Sequence, residues 1–376
     1  MTVNASGQPI PITRPTFPDT QLDALLGDLR SVLKSGQLAP GEYAKRFETA
    51  FAEFCGVPHA VSVNSATTAL QIALRYADVA GYDVLVPAAS FITDVSSVLF
   101  EGGNPVLVDV DADSLAVTPR TLSARRTPRT KAIIWVHLTG IVSPEYKAVR
   151  EYAQSEGLFL IEDASHAHGA TLGKLSAGQL GDVGVFSFFP TKLMTTGAGG
   201  MITTFDGDLA RFARELRMFG KKEGTSEVVY LGNDWFLDEL RSCVGLHQLQ
   251  CLPDVLRRRR EVADHYFSRL SNQPGLRLPQ IHEGHVPSWY QFPVFIDDPV
   301  LHKKCSIALQ KAGIQSKQIY RPVHREKVFE NLVIDEQPVA EQMLAASLCL
   351  PMYAELDLQD VDRVSDVLIR VLRSVT

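Results

Sequence analysis

What this chain lacks narrows its function before any motif is considered. No apolar run approaches the ~20 residues that cross a bilayer, and the opening MTVNASGQPIPITRPTFPDT has neither the charged nor the apolar region of a secretory signal. No two cysteines form a CxxC pair: Cys55, Cys243, Cys251, Cys305 and Cys349 lie far apart and are odd in number. That pattern argues against a disulfide framework and for buried thiols in a reducing compartment. Lys and Arg number 37 against 43 Asp and Glu, a net charge of −6, so the usual electrostatic warrant for nucleic-acid binding is missing. The one basic run, Arg257 to Arg260, sits in a helical pattern and reads as a solvated face. Repeats, low-complexity tracts, a GxGxxG turn and a P-loop are absent as well. The expectation is a soluble, cytoplasmic protein.

What the chain has is 376 residues, 45% hydrophobic and 21% charged, enough for a large core with a smaller domain beside it. From about residue 60, short β-branched runs alternate with helical patterns: AVSVNS with TTALQIALRYAD, DVLVPA with ITDVSSVLF, then NPVLVDV, KAIIWVHLTG, LFLIEDASH, DVGVFSF and GMITT. This alternation predicts an α/β domain with a mostly parallel sheet, whose ligand groups collect at the C-terminal ends of strands. After Gly200 two long helical stretches lead to a remainder with one strand-like run, WYQFPVFI, and two helical runs. We divide the chain into an extended segment (1–20), a large α/β domain (21–255) and a small α+β domain (256–376).

Strand ends supply the candidate site. Lys192 stands alone in FSFFPTKLMTTGAGG, and by itself reads as a solvated loop lysine. Asp163 ends the apolar strand in IEDASHAHG; the His-x-His pair there has no third ligand nearby, so a metal is not expected. In VNSATTALQIALRYA a strand gives way to an amphipathic helix through Ser65, Ala66 and Thr67, where free N–H groups form an anion site. A lone amine, a strand-end carboxylate and a phosphate turn suit pyridoxal 5′-phosphate: the lysine holds the aldehyde as a Schiff base, the carboxylate keeps the pyridine nitrogen protonated, and the turn takes the phosphate. Phe91, in VPAASFITDVSS, is placed to give the ring an aromatic face.

The chain resembles the DegT/DnrJ/EryC1/StrS sugar aminotransferases, fold-type I pyridoxal-phosphate enzymes. The resemblance runs in order through SGQLAPGEYAKRFETAFAEFCGV, VNSATTAL, DVLVPAASFITD, NPVLVDVDADSLAV, IEDASHAHGATLGKLSAGQLGDVGVFSFFPTKLMTTGAGG, GIQSKQIYRPVH and PVAEQMLAASLCLPMY. It implies a seven-stranded-type sheet flanked by helices, with a smaller C-terminal α+β domain. It also implies Lys192 as the Schiff-base lysine, Asp163 on the pyridinium nitrogen, and Ser187 with Ser65, Ala66 and Thr67 on the phosphate. Phe91 matches the stacking aromatic, and His166 the residue beside the cofactor's phenolic oxygen. The family's members are homodimers, so Asn233 of the partner subunit would complete the cofactor site, while Tyr320, Arg321 and His324 would meet the substrate.

Three departures from the family pattern stand out: Ala66 for a glycine, Ala198 for a glutamate, and Trp235 with Phe236 where a basic residue is usual. The implied reaction is transfer of an amino group from glutamate or glutamine to a keto-sugar, expected to be nucleotide-linked. A keto-cyclitol, an aminoglycoside precursor or an aminobenzoate precursor is the alternative acceptor. A rival of another class is a degenerate paralogue that keeps the pocket as a binding or regulatory subunit.

Overall fold

Near-continuous burial along the central strands marks a sheet with two covered faces. The computed structural model describes residues 9–330 and 335–374. Its strands are β1 (His59–Val63), β2 (Asp83–Pro87), β3 (Asn104–Val108), β4 (Thr130–Val136), β5 (Phe159–Asp163), the two-residue β6 (Thr171–Leu172) and β7 (Leu175–Ser176), β8 (Val183–Ser187) and β9 (Gly200–Thr204). Seven of them form one sheet in the order β1-β9-β8-β5-β4-β2-β3. Only β9 runs against the rest, pairing antiparallel with β8 and β1. This is the mostly parallel α/β sheet that the sequence pattern predicts.

Two helices, α1 (Asp19–Ser35) and α2 (Glu42–Cys55), precede the sheet. The next five, α3 (Ala66–Tyr76), α4 (Ile92–Phe100), α5 (Pro119–Arg125), α6 (Tyr146–Ser155) and α7 (Gly207–Arg217), alternate with the strands or follow them. In β4, Ala132 and Ile134 pack with α3, α4 and α7 on one face, while Ile133 and Trp135 pack with α2 and α6 on the other. The same period-two alternation sends Asp163 and Glu162, adjacent in β5, to opposite faces.

Helix α8 (Glu239–Leu270) runs unbroken through Pro253 and past residue 255. Leu246, Leu249 and Leu252 pack under the large sheet; Val262, Tyr266 and Leu270 belong to a second core. That core is completed by β11 (Phe292–Phe295), α9 (Pro299–Lys311), β12 (Ser347–Leu350) and α11 (Leu358–Arg373), whereas α10 (Pro338–Ala346) packs through Ala340, Met343 and Leu344 on the large-sheet core, and β10 (His285–Val286) joins the sheet of β6 and β7. Strand β12 is not legible as such, because it follows α10 with no turn residue between. Its pairing with β11 is what makes it a strand.

The arginine run divides in a way its composition does not show. Arg257 and Arg258 pair with Glu261 on the surface. Arg259 is only 2% exposed and donates to the carbonyls of Trp289 at 2.7 Å and Met352 at 3.2 Å. It fastens the long helix to the segment that carries Tyr290. All five cysteines are buried and free. No helix among the described residues is long and apolar enough to cross a membrane.

Candidate active site

The C-terminal ends of β1, β5 and β8 meet at one edge of the sheet. Beyond β1, Ser65 caps α3 by accepting the Thr68 N–H at 3.1 Å. The N–H groups of Ala66 and Thr67 are left with no partner among the described residues, at the positive end of the helix dipole. Gly200 in β9 lets the sheet come this close: a Cβ there would lie 2.5 Å from the Ser65 carbonyl carbon. Asp163 ends β5 and accepts the Ser165 N–H at 2.8 Å, which fixes one oxygen and leaves the other for a ligand. Ser187 ends β8, and the chain turns through Pro190 to Lys192.

A cavity of about 390 Å³ collects these groups. Lys192, Asp163, His166 and Phe91 line it, as do Ser187 and the turn Ser65, Ala66 and Thr67. Ala198 is in the wall too, so the position lacking the family's carboxylate faces the site. A larger hollow of about 550 Å³, against Phe159 and Asp182 at the starts of β5 and β8, contains none of the strand-end groups. Chemistry therefore separates the two where volume does not.

Tyr290 and Lys317 complete the wall, and neither was singled out by sequence. Tyr290 lies 4.1 Å from the His166 ring and 4.5 Å from Lys192 Nζ, centroid distances that make it a floor for both. Its hydroxyl meets Thr191 Oγ1 at 3.0 Å. No local periodicity marks it; the nearest signal is the aromatic cluster WYQF. Trp289 before it holds a positive φ of 54°.

Burial dominates the electrostatics. It pushes the Lys192 amine down to about 8, although Asp163 and Asp94 pull it back toward the charged form. No carboxylate forms a salt bridge with it among the described residues. Burial, with Lys192, Lys317 and His168 nearby, holds His166 well below the usual imidazole range. Neutral His166 accepts the Thr139 N–H on Nδ1 at 3.3 Å, so Nε2 carries the proton and donates to the Tyr320 hydroxyl oxygen at 2.8 Å. The Tyr320 proton is thereby free for an acceptor in the cavity.

The depressed amine predicts a pH dependence that can be read without turnover. Competitive acetylation of the cofactor-free protein is expected to show Lys192 reactivity levelling off above about pH 8. An inflection above about pH 10, near an ordinary lysine, would contradict it.

Three expected site residues lie outside the cavity of their own chain. Asn233 is exposed, with Oδ1 accepting the Asp234 N–H at 2.9 Å. Arg321 is exposed and does not line this cavity. His324 is occupied by Glu341, Nε2 to Oε1 at 2.6 Å. Besides Lys192, the cation in the wall is Lys317.

The donor set fits pyridoxal phosphate: free helix N–H groups for a phosphate, a fixed carboxylate with one open oxygen, and an amine held near neutrality. Fold and cavity together define a pyridoxal-phosphate-dependent aminotransferase of the α/β class. Within that class the chain belongs to the DegT/DnrJ/EryC1/StrS aminotransferase family, whose sequence model matches residues 21–369. It is 35% identical over 340 residues to GDP-perosamine synthase of Caulobacter vibrioides, covering 88% of this chain and 91% of that one. It is 35% identical over 354 residues to the UDP-N-acetyl-3-dehydro-α-D-glucosamine 3-aminotransferase of Acidithiobacillus ferrooxidans, covering 93% and 94%. Among solved structures, Spr1654 of Streptococcus pneumoniae in its PLP form superposes with a TM-score of 0.91 at 25% identity, over 98% of this chain and 100% of that one.

Proposed function

We propose that this aminotransferase moves an amino group from glutamate or glutamine to a nucleotide-linked keto-sugar. The observation that carries the reading is the meeting of Lys192, Asp163 and the unpaired N–H groups of α3 in one cavity. The acceptor class is supported by relatives named for GDP- and UDP-linked amino sugars.

Pyridoxal phosphate supplies a ring that stores an electron pair and carries the amino group between the two halves of the reaction. Lys192 Nζ would hold the cofactor's aldehyde and would serve as the base for the donor's Cα proton, a role that its lowered basicity suits. Asp163 would keep the ring nitrogen protonated. Ser65, Ala66, Thr67 and Ser187 would hold the phosphate, and Phe91 would stack on the ring. His166 holds the Tyr320 hydroxyl, and the pair would face the cofactor's phenolic oxygen. Lys317 supplies the positive charge for a donor carboxylate or a nucleotide phosphate.

The protein works as a homodimer in the cytoplasm, with Asn233 of the partner subunit reaching the phosphate. Support for the dimer is an exposed apolar run just before that asparagine, Val228 to Leu231, in which Leu231 is 92% exposed. Trp235, where the family's basic residue is missing, instead lies under the Arg75 guanidinium at 5.4 Å.

The test separates the two halves. Glutamate or glutamine is expected to bleach the visible absorbance of the loaded enzyme, and a GDP- or UDP-linked keto-sugar to restore it. Restoration by a keto-cyclitol but by no nucleotide-linked sugar would replace the acceptor class. Failure of every amino acid to bleach the enzyme would leave only a binding role.

A further inference from the structure

Behind Asp163 lies a second carboxyl that the mechanism above does not use. Asp94 sits in the first turn of α4, is 0% exposed, and does not line the cavity. Neither of its oxygens has a hydrogen-bond partner of good geometry. The nearby donors, the Phe91 N–H and the Ser90 hydroxyl, favour its charge less than burial opposes it, and the Ser90 hydroxyl is aimed at the Phe91 carbonyl at 3.5 Å. What Asp94 does meet is the carboxyl group of Asp163.

Two adjoining buried carboxyls cannot both ionise cheaply, and one proton between them turns repulsion into a hydrogen bond. The other groups facing Asp94 do not change this. Lys192, after β8, is held near neutrality and would lose its ammonium on bonding an aldehyde; Tyr320, after α9, is pushed well above the usual phenol range by its own burial. Asp163 has the cavity on its other side and would keep its charge for a ring nitrogen, so the proton belongs on Asp94.

We propose that Asp94 is a positioning residue: a neutral carboxyl that donates a hydrogen bond to Asp163, holding that carboxylate toward the cavity without adding a second negative charge. The catalytic part of this rests on Asp163 being the partner of the pyridine nitrogen. The protonation does not, since the contact is present in the protein alone.

Two measurements decide it. Infrared difference spectra between wild type and Asp94→Asn, taken with and without cofactor, are expected to show a protonated-carboxyl band in wild type from about pH 6 to 8 that the variant lacks. Loss of carboxylate bands instead would overturn the proposal. For the loaded enzyme, Asp94→Asn still donates and is expected to keep cofactor affinity and kcat within about 3-fold, whereas Asp94→Leu loses about 10- to 100-fold in both. Equal losses in the two variants would also overturn it, and should the leucine variant not fold, the spectra still decide. A wild type that binds no pyridoxal phosphate would refute the reading of the cavity and leave the infrared result standing.

Discussion

Lys192→Ala is expected to lower turnover by about 10⁴-fold or more while leaving the fold intact, because the proposed mechanism has one amine both hold the aldehyde and move the proton. Borohydride reduction followed by mass spectrometry should find cofactor attached to wild type and none to the variant. Transamination above about 1% of the wild-type rate would remove Lys192 from the reaction. The fold is expected to survive because the side chain ends in the cavity and only widens it. Stability should even change in the opposite sense to activity. The amine's pKa is about 8 in the folded protein against 10.5 as its ordinary value, so the unfolded chain binds more protons between those limits. Wild type therefore carries an ionisation penalty below pH 8 that fades as pH rises toward 10.5. The alanine variant lacks that penalty, and urea titrations of the cofactor-free proteins across this window should show its relative advantage shrinking with pH.

The largest loss of stability is expected one residue away from Asp163. Glu162 is 0% exposed and accepts four hydrogen bonds: from Gly178 N at 2.7 Å, Leu180 N at 2.8 Å, Gly181 N at 3.1 Å and His137 Nε2 at 2.8 Å. Alanine there strands three backbone donors and a ring nitrogen in the core, which should cost about 3–5 kcal/mol. Glutamine keeps the volume but turns its own donors toward N–H groups, so it should recover only part of this. Chemical denaturation reads the difference directly. A loss below about 1 kcal/mol would mean the 177–181 turn finds other acceptors. The turn has little freedom to do so: Gly178 holds a φ of +95°, and a Cβ on it would lie 2.5 Å from the Phe186 ring.

The pair Glu162 and Asp163 shows where sequence reading stops. Period-two alternation places adjacent acids on opposite faces, yet it does not say which faces the ligand and which a turn of the chain. The strand-end candidates were legible because chain order and α/β topology bring C-terminal strand ends together. Lys192, Asp163, His166, Phe91, Ser187 and the Ser65 to Thr67 turn accordingly share one cavity. Tyr290 and Lys317 come from irregular segments of the C-terminal part, whose placement depends on packing against α8 and β12. Asp94 was hidden differently, since an acid in a helix's first turn has an ordinary explanation in the helix dipole. His324 and Arg321 share a short stretch with Tyr320, but of the three only the tyrosine lines the cavity. The fate of Arg259 belongs to the same class: nothing within a run of four arginines tells which one the helix turns toward the core.

The antiparallel strand β9 sets a schedule for the newborn chain. Residues 59–63 emerge early, but their place in the sheet is beside residues 200–204, with β9 between them and β8. The Ser65 turn and the lysine at 192 therefore reach their final places with the pairing that closes the sheet. Such long-range pairing is slow compared with helix formation and leaves an unpaired edge exposed in the meantime. Cofactor capture then becomes a marker of the sheet's completion: a chain still on the ribosome short of residue 200 can bring the aspartate and the lysine together through β5 and β8, but lacks the strand that seats β1 and its Ser65 turn in the sheet.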